Sequence, residues 1–134
     1  MNEVISTADA PRAIGPYSQA VAIRTDSLAS FPRALLFLSG QIPLDPATGE
    51  LVKGTIEEET RRVMENLGAV LAAGGGGFQH VVKTTVYLTD LADFARMNQV
   101  YGGYFTANPP ARATVQVAAL PRGARVEIDA VAAV

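Results

Sequence analysis

The chain has 134 residues, 49% of them hydrophobic, and a net charge of −2, which suits one compact domain spanning residues 1–134. The absence of cysteine excludes disulfides, thiolate nucleophiles and Cys-ligated zinc or iron–sulfur sites. The slightly acidic balance gives no general pull toward nucleic acid, and no apolar run approaches the ~20 residues that span a bilayer, so neither nucleic acid nor membrane is an expected partner. Residues 1–7 have neither a basic nor an apolar signal region, so a cytoplasmic location is expected.

In chain order, Glu3–Ser6 reads as a short strand, and Ala10-Pro11 and Gly15-Pro16 punctuate the route to a second, Tyr17–Ile23. Arg24–Arg33 is a polar, Pro-containing connection with the character of a hairpin loop. Leu35–Leu38 is a buried strand running into Ser39-Gly40, and Asp45–Gly49 is a turn. Thr55 followed by Glu58 has the spacing of a capping box and opens a helix. Ile56, Thr60, Val63, Leu67, Val70 and Leu71 form its buried stripe, with Glu57, Glu58, Arg61, Arg62 and Glu65 on the solvated face. Gly74–Gly77 ends it as a C-cap; no Lys-Ser/Thr follows to make a phosphate cradle.

Val81–Leu88 is the next strand. Thr89 or Asp90 caps a second helix, predicted to run to about Phe105 with Leu91, Phe94, Met97, Asn98, Tyr101 and Phe105 as its inner stripe. Asn98 is the polar member of that stripe, so it either ties down a loop or reaches a site. Asn108-Pro109-Pro110 breaks the chain, and two short strands follow, joined by a Leu120-Pro121-Arg122-Gly123 turn. Period-two alternation puts Arg112, Thr114 and Gln116 on one face of the first, and Glu127 and Asp129 on one face of the second, opposite Val126, Ile128 and Ala130. The order β-β-β-α-β-α-β-β implies one mixed α+β sheet. Two helices cover one face of it, and a second copy of the chain is the economical cover for the other.

A charge in an apolar strand region is costly unless it is paired or meets a ligand. Arg112 beside the strand carrying Glu127 therefore reads either as a partly buried structural ion pair or as a site, in which a guanidinium holds a small carboxylate and a glutamate activates water. His80, the only histidine, has no ligand partner at metal spacing and no Gly-x-Ser-x-Gly elbow, so no metal site and no Ser-His-Asp triad is expected. Lys53 and Lys83 are poor Schiff-base candidates and no dinucleotide fingerprint occurs, so no cofactor is expected. Cofactor-free acid/base or binding chemistry around Arg112 and Glu127 remains, with Tyr17, Ser39 and Asn98 as helpers.

These segments also resemble a family. Ala10–Ala20 with Gly15-Pro16-Tyr17-Ser18-Gln19, then Leu38–Pro43 with Ser39-Gly40-Gln41, Val82–Leu91, Phe94–Asn98 with Tyr101, Pro110–Pro121 and Val126–Ala132 are similar, in order over nearly the whole chain, to the reactive intermediate deaminases. These are the RidA or YjgF-type proteins, and Gly-Pro-Tyr resembles the RidA branch in particular. The resemblance implies a chorismate-mutase-like fold with two helices on one face of the sheet, and a homotrimer whose sheets form a central barrel with ligand clefts between subunits. It implies hydrolysis of 2-imino and 2-enamino acids, such as 2-iminobutanoate and 2-iminopropanoate, to 2-oxo acids and ammonia, which protects pyridoxal-phosphate enzymes. Carried over, Arg112 clamps the substrate carboxylate and Glu127 orients the water, while Tyr17, Ser39, Gly40, Asn98 and the backbone at Thr114 line the cleft. Arg24–Arg33 and Gly74–Gly77 depart from the family pattern, and the approach to Arg112 looks shorter. Two other functions stay in view: a trimeric small-carboxylate-binding protein without turnover, which gains nothing from Glu127, and an RNA-cleaving translation inhibitor, against which the acidic balance argues.

Overall fold

The computed structural model describes residues 2–25, 29 and 31–134. Its elements are β1 (Asn2–Ile5), β2 (Ala20–Arg24), β3 (Ala34–Gln41), α1 (Ile56–Ala73), β4 (Val81–Leu88), α2 (Phe94–Gly102), β5 (Ala111–Gln116) and β6 (Val126–Ala133), in the expected order. They build one mixed six-stranded sheet in the order β1-β2-β3-β6-β4-β5. Every neighbouring pair is antiparallel except β4 and β5, which run parallel. The expected hairpin link from Arg24 to Arg33 includes residues 26–28 and 30, which lie outside the described residues.

α1 forms where its apolar stripe and cap predict. Thr55 Oγ1 accepts the Glu58 backbone N–H at 3.2 Å, relieving an N–H that has no partner within the helix. All six predicted stripe residues are buried, and each large apolar side chain among them contributes roughly 1.5–3 kcal/mol by leaving water. The glycine run stops the helix: Gly75 takes φ +87°, and the Gly76 N–H closes onto the Leu71 carbonyl at 2.9 Å. The packed face is built from alternate strand residues, among them Ala22, Leu36, Leu38, Val86, Leu88, Val126, Ile128 and Ala130.

Among the described residues, the opposite face has no helix. Leu35 pairs laterally with Ile23, and Phe37 with Val21 and Val131; Ile23, Leu35 and Phe37 are all exposed there, as is Val4 on the edge strand. An apolar sheet face open to water is the feature expected from two helices on one side. Among the described residues, no helix is long and apolar enough to cross a membrane.

Three expectations need correction. The strands flanking the Leu120–Gly123 turn are not partners, because β4 lies between β5 and β6 and hydrogen-bonds to both. The second strand begins at Ala20 rather than Tyr17, since the buried Gln19 side chain is committed to the 7–11 loop, bonding the Thr7 N–H and the carbonyls of Thr7 and Pro11. The second helix is shorter than predicted: Asp90 caps a 3₁₀ turn over Leu91–Asp93, and α2 ends at Gly102, where a glycine pair removes helix support. Only Met97 and Tyr101 of α2 are buried, whereas Phe94 and Asn98 are exposed, as is Leu91 in the preceding turn. Phe94, Asn98 and Tyr101 of the predicted stripe lie against Arg112 instead.

Candidate active site

Alternation along β6 sends Val126, Ile128 and Ala130 into the core and leaves Glu127 half-buried on the open face. β3 meets it through an irregularity: the register slips between Leu38 and Gln41, which re-aims Ser39 and Gly40. The Glu127 side chain lies against Gly40 so closely that a Cβ there would sit 2.8 Å from Oε2. Only glycine at position 40 leaves the Glu127 side chain where it stands. Ser39 Oγ donates to the Ser18 carbonyl at 2.5 Å, and its N–H bonds the Gln19 carbonyl, pinning the Tyr17 segment beside the bulge. Tyr17 Oη in turn accepts the Ile14 N–H at 3.3 Å. Tyr17, Ser39, Gly40 and Glu127 therefore line one hollow of about 380 Å³, walled by Pro11, Ile14 and Ile42.

The Glu127 side chain makes no hydrogen bond or ion pair among the described residues. Burial, reinforced by the Asp129 charge two residues on, raises its pKa above the ordinary carboxylate value. Asp129 is the better-served carboxylate, since Tyr87 Oη donates to it at 3.2 Å. A glutamate that gives up its proton reluctantly and lines an open hollow is equipped to take and return one.

Arg112 stands in a second hollow, of about 450 Å³, with Asn98, Tyr101, Phe105 and Pro109–Pro110. Its Nη1 donates to Asn98 Oδ1 at 2.7 Å. The guanidinium carbon lies 4.7 Å from the centre of the Tyr101 ring and 5.5 Å from that of Phe94. Asn98 thus meets Arg112 rather than a loop backbone, and does so from an exposed position. Thr114, two residues along β5 on the same face, has a buried hydroxyl with no hydrogen-bond partner.

The predicted residues thus fall into two groups. Arg112 is in register with Thr84 of β4, on the face carrying α1 and α2, whereas Glu127 is in register with Tyr87 on the open face. One strand separates them and their side chains leave opposite sides of the sheet. The structural ion pair weighed from sequence does not form within the chain: Arg112 has no carboxylate within 4 Å among the described residues, and the described salt bridges use other pairs. One substrate cannot touch both groups of a single copy.

Three contributors were not singled out from the sequence. Gln19 organises the floor of the first hollow, and its signal was a polar residue inside an otherwise apolar strand pattern. Phe94 and Tyr101 share the α2 stripe with Asn98 and were read as core, the commoner role of such spacing. Among the described residues, no group of three or more His, Cys, Asp or Glu could hold a metal ion.

The family model described as endoribonuclease L-PSP matches residues 7–134. Protein DfrA of Myxococcus xanthus is 61% identical over 130 residues, 97% of this chain and 94% of that protein. The 2-iminobutanoate/2-iminopropanoate deaminase of Homo sapiens is 51% identical over 133 residues, 98% of this chain and 90% of that protein. RidA from the Antarctic bacterium Psychrobacter sp. PAMC 21119 superposes with a TM-score of 0.86 at 41% identity, covering 98% of this chain and 99% of that one. E. coli TdcF with bound serine superposes at 0.85 and 40% identity, over 98% of both chains. With a match along nearly the whole chain and the same fold, this protein belongs to the endoribonuclease L-PSP family, the RidA/YjgF-type proteins.

Proposed function

We propose that the protein is a cofactor-free deaminase that hydrolyses 2-imino and 2-enamino acids, such as 2-iminobutanoate and 2-iminopropanoate, to 2-oxo acids and ammonia. It works as a homotrimer, each cleft pairing the Glu127 hollow of one copy with the Arg112 hollow of its neighbour. The carrying observation is that, among the described residues, a cation without a carboxylate partner and a half-buried carboxylate without a cation partner are held apart on opposite sides of one sheet. The uncovered apolar face supplies the surface on which copies meet. The human relative bears the name of this activity and the TdcF structure holds serine, a small amino acid, which supports the substrate class.

The chemistry needs few parts. Arg112 takes the substrate carboxylate with two N–H groups, fixing C2. Glu127 orients a water and accepts its proton as the oxygen attacks C2. Returning that proton to the imine nitrogen gives the carbinolamine; Glu127 then passes the hydroxyl proton to the amine as the C–N bond breaks, so imine and water give 2-oxo acid and ammonia. Tyr17, Ser39 and Gly40 shape the wall around Glu127, and the Thr114 backbone borders the carboxylate.

The test generates 2-iminobutanoate in situ with threonine dehydratase and follows semicarbazide trapping as the competing fate. Added protein should suppress trapping, and Glu127→Gln should abolish that effect while still binding 2-oxobutanoate. Binding without turnover by the unaltered protein would return it to the carboxylate-binding class. The net charge of −2 offers little to RNA, and no RNA shift at moderate salt is expected.

A further inference from the structure

Proteins usually hold a partly buried arginine with a carboxylate, which orients the fork but neutralises it. Arg112 is held otherwise. Its one side-chain hydrogen bond among the described residues goes to the neutral amide of Asn98 at 2.7 Å, and the ring faces of Tyr101 and Phe94 flank the guanidinium at 4.7 and 5.5 Å. Tyr101 is itself fixed, buried with its hydroxyl 2.7 Å from Thr84 Oγ1 on β4. A guanidinium has five N–H donors, so a single bond to Asn98 leaves enough for a two-point contact. Aromatic faces attract a cation through their quadrupole and leave its net charge intact.

We propose that Asn98, Phe94 and Tyr101 form a neutral cradle that orients the Arg112 fork while keeping its full charge for an incoming carboxylate. They are positioning residues that set affinity for the ligand rather than the rate of the water step. This rests on the reading that Arg112 holds the substrate carboxylate.

The discriminating variant is Asn98→Asp, which keeps the shape and the acceptor oxygen but supplies a carboxylate to Arg112. A purely structural tether would be strengthened. The cradle instead requires that the new internal ion pair compete with the ligand, so 2-oxobutanoate affinity by calorimetry should fall on the order of tenfold or more while the melting temperature stays level or rises. Phe94 is exposed, so Phe94→Leu leaves the fold intact and should raise KM about two- to fivefold with kcat near that of the unaltered protein. Tyr101→Phe keeps the ring and should retain affinity, whereas Tyr101→Leu should lose it. Asn98→Asp binding 2-oxobutanoate as tightly as the unaltered protein, or an unchanged KM in Phe94→Leu, would overturn the cradle and leave the deaminase reading standing. An unaltered protein that neither binds 2-oxobutanoate nor consumes the imine would remove both.

Discussion

Replacing Gly40 by alanine separates the chemistry of the site from its stability. The added Cβ would lie 2.8 Å from Glu127 Oε2, 2.9 Å from Cδ and 3.1 Å from Cγ. Reaching an ordinary contact of 3.4 Å moves the carboxylate by at least about 0.6 Å. The atoms that must yield belong to the end of a flexible side chain, so the fold bears little strain and the melting temperature should stay within about 4 °C. A general base is far less forgiving, because a misplacement near 1 Å costs about 10²-fold. Gly40→Ala should therefore lower kcat by roughly 10–10²-fold. The in-situ imine assay measures this, alongside a thermal melt and a mass measurement to show an unchanged assembly. The effect must also vanish when Glu127 is already disabled, so Gly40→Ala/Glu127→Gln should be no slower than Glu127→Gln alone. Normal turnover in Gly40→Ala, or additive losses in the double variant, would refute the placement of Glu127 against Gly40 as the working geometry.

Other outcomes follow from the same contacts. Because burial and Asp129 raise the Glu127 pKa, the folded state binds this proton more tightly than the unfolded chain, and its contribution to stability is lost as pH rises through the raised folded value. Glu127→Gln should therefore melt at or above the unaltered protein at pH 7, with the difference closing as pH falls to the ordinary carboxylate range; a lower melt at pH 7 would contradict the sign. Arg125 Nε donates to the buried Glu59 carboxylate at 2.6 Å, so Arg125→Ala strands a buried charge and should cost about 3 kcal/mol in chemical denaturation. Phe37 is exposed in the single chain. If the proposed trimer forms through this face, Phe37→Glu should leave the chain folded but bring the light-scattering mass down from the expected three times 14.1 kDa toward that of one chain, with loss of the proposed turnover.

Local periodicity carried much of the fold. The Thr55 cap, the α1 stripe, the glycine stop and the inward alternation of Val126, Ile128 and Ala130 all depend on neighbours within a turn or a strand, and all appear where the residues place them. Strand adjacency is non-local: nothing in Arg112–Glu127 spacing shows that Val81–Leu88 inserts between β5 and β6, and a short turn between two strands suggests contact that β4 prevents. The same insertion puts Arg112 and Glu127, an apparent pair in the sequence, on strands that are not neighbours. Helix spacing likewise could not tell a core stripe from a ligand-facing one, since Phe94, Asn98 and Tyr101 share a face whose occupant, the Arg112 guanidinium, arrives from another element. The buried Glu59 was hidden for a related reason, its cation lying 66 residues away.

The proposed division of the site between copies is tested most directly by complementation. Arg112→Ala and Glu127→Ala are each expected to be inactive alone, because every cleft of either homotrimer lacks one group. Denatured together in equal amounts and refolded, they form mixed trimers in which a cleft works only when a Glu127-bearing chain meets an Arg112-bearing neighbour. Random assembly makes that about a quarter of all clefts, so the mixture should recover about a quarter of the unaltered activity. No recovery from mixed trimers of confirmed mass would place both groups in one chain's site and contradict the account.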